Sequence, residues 1–175
     1  MIYKDELTKA MKILAKDKKV LFLGQTVGYK GSALHESLEK ISKSKRIELP
    51  VMEDTQIGIS TGLSLQGYIP VSVFPRFDFL ICATNQLVNH LEKISEMTNN
   101  EFNPKVIIRT AVGATSPLYP GVQHCSDYTE AYKLMLKNIE VVKLENKEDI
   151  VPAYKKALKN KKSSLLVEFS NKYNT

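Results

Sequence analysis

Short apolar runs, each stopped by glycine, proline or a polar stretch, alternate along this chain with longer segments whose apolar side chains recur every three or four positions. A run too short for a helix and apolar on both faces suits a strand buried in a parallel sheet, and the periodic segments between suit its crossover helices. The spacing predicts strands at Val20–Gly24, Ile47–Leu49, Val71–Phe74, Val106–Arg109, Val141–Leu144 and Leu165–Phe169. It predicts helices over Lys4–Lys16, Ser32–Ser42, Asp54–Gln66, Phe77–Met97, Ser126–Leu136 and Lys147–Asn160, with Ser32 as a candidate cap. Gly58 and Gly62 suggest that the third helix packs closely against something. The expected fold class is α/β, a three-layer sandwich with a mainly parallel sheet between helices. With 43% apolar residues in 175, one domain over residues 1–175 can bury a core.

Composition narrows the function. Lys and Arg exceed Asp and Glu by 6, but the excess is scattered, and KNKKSS (Lys159–Ser164) reads as a solvated helix end, so no nucleic-acid partner is expected. The 2 cysteines make no disulfide framework and no metal-type spacing. No apolar run reaches the ~18 residues of a membrane span, and MIYKDELTKAMKIL reads as an amphipathic helix rather than a leader. These features set the expectation of a reduced, cytoplasmic protein without a membrane partner.

In open parallel sheets, ligands sit outside the carboxyl ends of the strands. The segments there are Gln25–Gly31, Pro50–Asp54, Pro75–Phe79 and Thr110–His124. None carries a P-loop, a dinucleotide fingerprint or a nucleophile elbow. Glu53 stands where a helix begins; it is either an acid favoured by the helix dipole or a carboxyl that shares a proton with a ligand nitrogen. Phe74, Phe77 and Phe79 either fill the core or offer a flat wall to a heteroaromatic ring. His124 ends a long glycine- and proline-containing loop at the same edge. His35 and His90 are expected at the surface and Cys82 in the core, and nothing in the sequence marks Cys125 as a nucleophile.

Several segments, in order, resemble the pyrimidine-binding domain of transketolase-like thiamine diphosphate enzymes. The nearest likeness is to the beta subunit of the decarboxylating component of 2-oxo acid dehydrogenases. The segments are VLFLGQTVG (Val20–Gly28), LPVMEDTQIGISTGLSLQGYIPV (Leu49–Val71), FPRFDFLICATNQLVNHLEKI (Phe74–Ile94), KVIIRTAVG (Lys105–Gly113), GVQHCSD (Gly121–Asp127) and SSLLVEFSNKY (Ser163–Tyr173). The resemblance implies that Glu53 hydrogen-bonds the aminopyrimidine ring and that Phe79 stacks on it, with Phe77 the second candidate. It implies that His124 is the active-site histidine and that Asn85 and Gln86 are structural or interface residues. Glu53 and His124 are thus the expected catalytic pair, and no residue of this chain is expected to bind metal.

The family's Gly-Asp-Gly motif with its spaced Asn is absent. The diphosphate and its Mg2+ are therefore expected on a separate alpha-like subunit, in an alpha2beta2 heterotetramer. The resemblance implies decarboxylation of a 2-oxo acid, or acyl or ketol transfer from a small-molecule substrate, which makes the protein one subunit of an oxidoreductase or transferase. A transketolase-like or carboligase role in a sugar or specialised biosynthetic pathway, and a non-catalytic regulatory role, are the other readings. Three departures stand out. Gln25 and Thr26 replace acidic residues after the first strand, ATSPLYPGVQ replaces a glycine-rich loop, and Pro75-Arg76 replaces an uncharged, non-proline pair. The family's beta subunit also continues into a second domain, whereas this sequence ends at Thr175.

Overall fold

A computed structural model describes residues 2–116 and 119–174; Pro117 and Leu118, in the loop expected before His124, lie outside the described residues, as do Met1 and Thr175. The chain runs α1 (Tyr3–Ala15), β1 (Val20–Gly24), α2 (Ala33–Glu36), β2 (Arg46–Glu48), α3 (Glu53–Leu65), β3 (Ile69–Phe74) and α4 (Phe77–Leu80). It continues with α5 (Ile94–Met97), β4 (Ile107–Val112), α6 (Thr129–Met135), β5 (Glu140–Lys143), α7 (Lys147–Lys159) and β6 (Ser164–Phe169). The strands form a 6-stranded sheet in the order β2-β1-β3-β4-β6-β5, and every neighbouring pair is parallel. The expected α/β class and its parallel sheet are both present.

Side chains alternate across each strand and so feed two cores, one on each face of the sheet. From β4, Ile107 and Ala111 enter the layer that holds α1 and α7, while Ile108 and Val112 enter the opposite layer. Leu7, Met11 and Leu14 of α1 are fully buried on the first face, each worth about 1.5–3 kcal/mol of transfer free energy. The second face takes Ile57 of α3, Phe77 and Leu80 of α4, and Tyr132 of α6. Because all strands run the same way, their carboxyl ends share one edge. The chain leaves β1 for β2 on one side and returns to β3 on the other, which opens a crevice between the ends of β1 and β3.

Two expected helices differ in the structure. The segment after Ser32 is helical only over Ala33–Glu36. The Ser37 hydroxyl donates to the Leu34 carbonyl at 2.8 Å, and tight turns from Leu38 to His35 and from Ile41 to Leu38 replace the helical ladder. Ser32 caps nothing; its hydroxyl pairs with that of Thr26 at 2.6 Å. The segment from Phe77 to Met97 is not one helix but α4, a 3-10 turn at Ile81–Ala83, a π-helical stretch at Gln86–Leu91, and α5. One cause is local: the Gln86 amide donates to Asp54 Oδ1 of α3 at 3.3 Å, outside the regular ladder.

Other expectations shift by smaller amounts. β4 runs on to Val112, so the loop begins later than Thr110. α6 starts at Thr129 rather than Ser126, because Asp127 Oδ1 accepts from the Thr129 amide at 3.0 Å. Cys82 is exposed, not in the core, since the 3-10 turn rotates it outward. His35 is buried, not at the surface, with Nδ1 3.2 Å from the Thr26 carbonyl. A Cβ on Gly58 would touch Gln86 Oε1, but one on Gly62 would meet nothing within 4 Å, so the close packing expected of the pair holds within this chain only for Gly58.

Candidate active site

The site is assembled from the first residues beyond β1, β2, β3 and β4. Gly24 ends β1 with φ +138°, and a Cβ there would overlap the Val73 carbonyl oxygen of β3. Only glycine allows this approach, and it lets the next residue, Gln25, turn into the crevice. Gln25 is buried, and its Nε2 donates to Glu53 Oε1 at 3.0 Å. Thr26 follows in the left-handed region at φ 55°, an uncommon conformation for a β-branched residue. Glu48 at the end of β2 holds that turn: its Oε1 accepts from the Thr26 amide and its Oε2 from the Gly28 amide, both at 2.7 Å. Glu48 therefore fixes the loop that carries Gln25, and Gln25 fixes the carboxyl of Glu53.

Glu53 is the first residue of α3 and is half-buried. The positive end of the helix dipole and the Gln25 amide both favour its placement there. With Oε1 engaged by Gln25, Oε2 is the oxygen left to meet a ligand.

The aromatic candidates separate. Phe77 is fully buried, its ring stacked on Tyr132 at 5.4 Å and edge-on to Tyr128 at 5.7 Å. The structure thus places Phe77, the second candidate, in the core, and leaves Phe79 the more accessible of the two. Phe74 is fully buried as well. Phe79 is only partly buried, and its ring lies edge-on to His124 at 5.4 Å between centroids. Phe79 also lines a shallow groove of about 390 Å³ with Asp78, Ile81, Val122, Gln123 and Tyr128.

His124 is held from two directions. A Cβ on Gly113, just beyond β4, would overlap the His124 carbonyl oxygen, so glycine is required there for the loop to close onto the strand end. Asp78 accepts from the Ser126 amide at 3.3 Å and from the Tyr128 hydroxyl at 3.4 Å, which ties the far side of the loop to α4. His124 Nδ1 is buried without a hydrogen-bond partner. A buried imidazole nitrogen left unpaired is costly and calls for an explanation.

Glu53, Phe79 and His124 thus share the carboxyl edge of the sheet, as their positions after β2, β3 and β4 led one to expect. Three supporting residues, Gln25, Glu48 and Asp78, did not stand out in the sequence as supports. In the sequence Gln25 is visible only as a lost acid; the structure makes it the partner of Glu53. Of the polar pair on the following segment, Asn85 bonds Asn89 across one turn at 3.0 Å, and Gln86 faces α3. Among the described residues, no group of three or more His, Cys, Asp or Glu side chains is arranged to hold a metal ion. None of the helices described is long and apolar enough to cross a membrane.

Comparison with known proteins extends this geometry. The family model described as "Transketolase, pyrimidine binding domain" matches residues 3–175. The 2-oxoisovalerate dehydrogenase subunit beta of Bacillus subtilis is 24% identical over 177 residues, covering 99% of this chain and 53% of that protein. The 3-methyl-2-oxobutanoate dehydrogenase subunit beta of Mycobacterium tuberculosis is 30% identical over 135 residues, 74% of this chain and 37% of that protein. The chain therefore spans about half, or less, of the length of these curated relatives. Transketolase from Campylobacter jejuni has a similar fold, with TM-score 0.75 and 17% identity over 97% of this chain and 26% of that one. A split-gene transketolase solved as an inactive beta4 tetramer gives TM-score 0.72 and 17% identity over 97% of this chain and 51% of that one. A match that runs almost end to end, on a parallel sheet of the same kind, means that this chain belongs to the transketolase pyrimidine-binding domain family and resembles the beta subunits of 2-oxo acid dehydrogenases.

Proposed function

We propose that this chain is the pyrimidine-binding subunit of a split, heteromeric thiamine diphosphate enzyme. The reaction is decarboxylation of a 2-oxo acid or acyl or ketol transfer from a 2-oxo acid or ketose. A separate alpha-like subunit holds the diphosphate and its Mg2+, in an alpha2beta2 assembly. The observation that carries the reading is the Gln25–Glu53 pair at the ligand edge of the sheet: a half-buried carboxyl with one oxygen taken and the other free. Further support comes from the curated relatives, which are themselves named beta subunits.

The residues present fit the aminopyrimidine half of the cofactor and not its diphosphate. When bound, thiamine diphosphate supplies a carbon nucleophile able to attack a carbonyl. Glu53 Oε2 would hold a proton against the ring nitrogen, and the pinned Oε1 keeps that oxygen aimed. An aspartate would fall short by one carbon, and a glutamine has no proton to exchange. Phe79 would pack on the heteroaromatic ring, worth about 0.5–1.5 kcal/mol beyond area burial. The imidazole of His124, edge-on to Phe79, would donate to or exchange a proton with the substrate oxygen, an effect typically worth ~10²–10⁴-fold.

The test is turnover of a 2-oxo acid, with an artificial electron acceptor, by the chain co-expressed with its diphosphate-binding partner. Glu53→Gln should lower the rate by ~10²–10⁴-fold while the complex still assembles. A Glu53→Gln complex that turns over at the wild-type rate would overturn the reading.

A further inference from the structure

One charged group at this edge is left unused by that mechanism. Arg76 follows Pro75 just beyond β3 and is half-buried. Its Nη1 donates to the Pro75 carbonyl at 3.1 Å, while its Nε is buried without a partner. Its Cδ lies 3.5 Å from the point where a Cβ on Gly113 would stand, and that same point overlaps the His124 carbonyl oxygen. Arg76 and the His124 backbone therefore flank one glycine at the end of β4, and His124 Nδ1 is itself unpaired.

Arg109 shows how this chain treats a guanidinium whose charge is answered internally. Its Nε and Nη2 donate to the two oxygens of Glu168 at 2.6 and 3.0 Å, fully buried. Arg76 has no carboxylate paired to its guanidinium among the described residues, and its Nε is closed off from water. Arg46 also has an unpaired Nε, but it stands on β2, three strand positions from β4, and its Nη1 donates to the Val27 carbonyl at 3.2 Å. A guanidinium drawn partly out of water without a counter-charge is unfavourable unless the counter-charge arrives with a ligand.

We infer that Arg76 is a specificity-determining residue whose guanidinium binds an oxyanion of the substrate while His124 addresses the reacting carbonyl. This rests on the reading that the edge is the thiamine diphosphate site. The planar fork matches two oxygens of one anionic group, which the carboxylate of a 2-oxo acid and the phosphate of a ketose phosphate both offer.

The experiment follows the 15N–1H signal of Arg76 Nε in the full chain, free and with its partner subunit, during separate titrations with 2-oxobutyrate and inorganic phosphate. A saturable shift with at least one of them is expected, and the one that shifts it identifies the source of the anion. Arg76→Gln should melt as the wild type does and bind that anion ~10- to 100-fold more weakly, with Arg76→Lys in between. The inference is overturned if neither anion moves the signal, or if Arg76→Gln binds both as the wild type does. Thiamine diphosphate binding, measured on the same complexes, separates the two readings. An anion held at Arg76 by a complex that ignores thiamine diphosphate sinks the cofactor assignment alone. A complex that binds thiamine diphosphate and, as Arg76→Gln, keeps the wild-type KM for both substrate classes sinks the arginine alone.

Discussion

Donors from three elements converge on the carboxylate of Glu168. Arg109 of β4 supplies two, Tyr154 of α7 donates at 2.5 Å, and the Tyr173 hydroxyl closes the set. Arg109 also donates to the Leu34 carbonyl at 3.4 Å, which brings α2 into the same network. Burial pushes the hydroxyls of Tyr154 and Tyr173 well above their ordinary 10.0, and the charge on Glu168 pushes them further. An unfolded chain would therefore release these protons near pH 10 while the folded chain keeps them. The stability they contribute is complete below that pH and is lost as pH rises above it, by about 1.4 kcal/mol per unit for each tyrosine. Urea midpoints measured from pH 9 to 11 should fall steeply above 10, and less steeply in Tyr154→Phe; a flat profile would count against the network. Nothing in the sequence announced this cluster. Arg109 and Glu168 sit 59 positions apart in runs that read as plain apolar strands, and only the pairing of β4 with β6 brings them face to face. The placement of Glu53 and His124 is legible for the opposite reason: each follows a strand end, and parallel topology alone sends all strand ends to one edge.

The elements depart from expectation where a side chain captures a backbone group. Asp54 takes the Gln86 amide and Asp127 takes the Thr129 amide, so the segment after α4 leaves the regular helix and α6 starts late. Apolar periodicity registers which face a segment buries but not which amide a distant carboxylate will claim, so helix faces were readable and helix ends were not. The junction of β4 with the His124 loop is the element whose failure would reach the site most directly. Gly113→Ala places a methyl group on the His124 carbonyl oxygen, with β4 fully buried on one side and the loop tied to Asp78 on the other. Neither side yields freely, so about 1–3 kcal/mol of stability should be lost in urea unfolding. The displaced loop should also part His124 from Phe79, read as a change in the His124 ring-proton shifts on loss of the edge-on contact. A variant with unchanged stability and shifts would mean that the loop closes by some other route.

At the scale of the whole molecule, the carboxyl edge of the sheet is one-sided. On the proposed reading, Glu53 and Phe79 meet a heteroaromatic ring there, and the donors for the diphosphate and its cation come from another chain. Around it stand apolar side chains that a finished active site would not leave in water: Val51 is 78% exposed and Val122 77%, with Met52, Ile81 and Tyr119 also exposed. Water at such an edge would weaken every polar interaction the site depends on. A second subunit that brings the diphosphate donors would cover these residues in the same step. The expected outcome is that neither chain alone gains thermal stability from thiamine diphosphate and Mg2+, while the mixture does. At a concentration 100 times Kd, binding to the folded state alone adds about 2.7 kcal/mol, enough to raise the melting temperature of a protein this size by several degrees. Amide exchange around residues 50–60 and 121–126 should slow in the mixture and not in the free chain. A free chain stabilised by the cofactor as strongly as the mixture would mean that the diphosphate is held within this polypeptide, and the division of labour between two subunits would have to be abandoned.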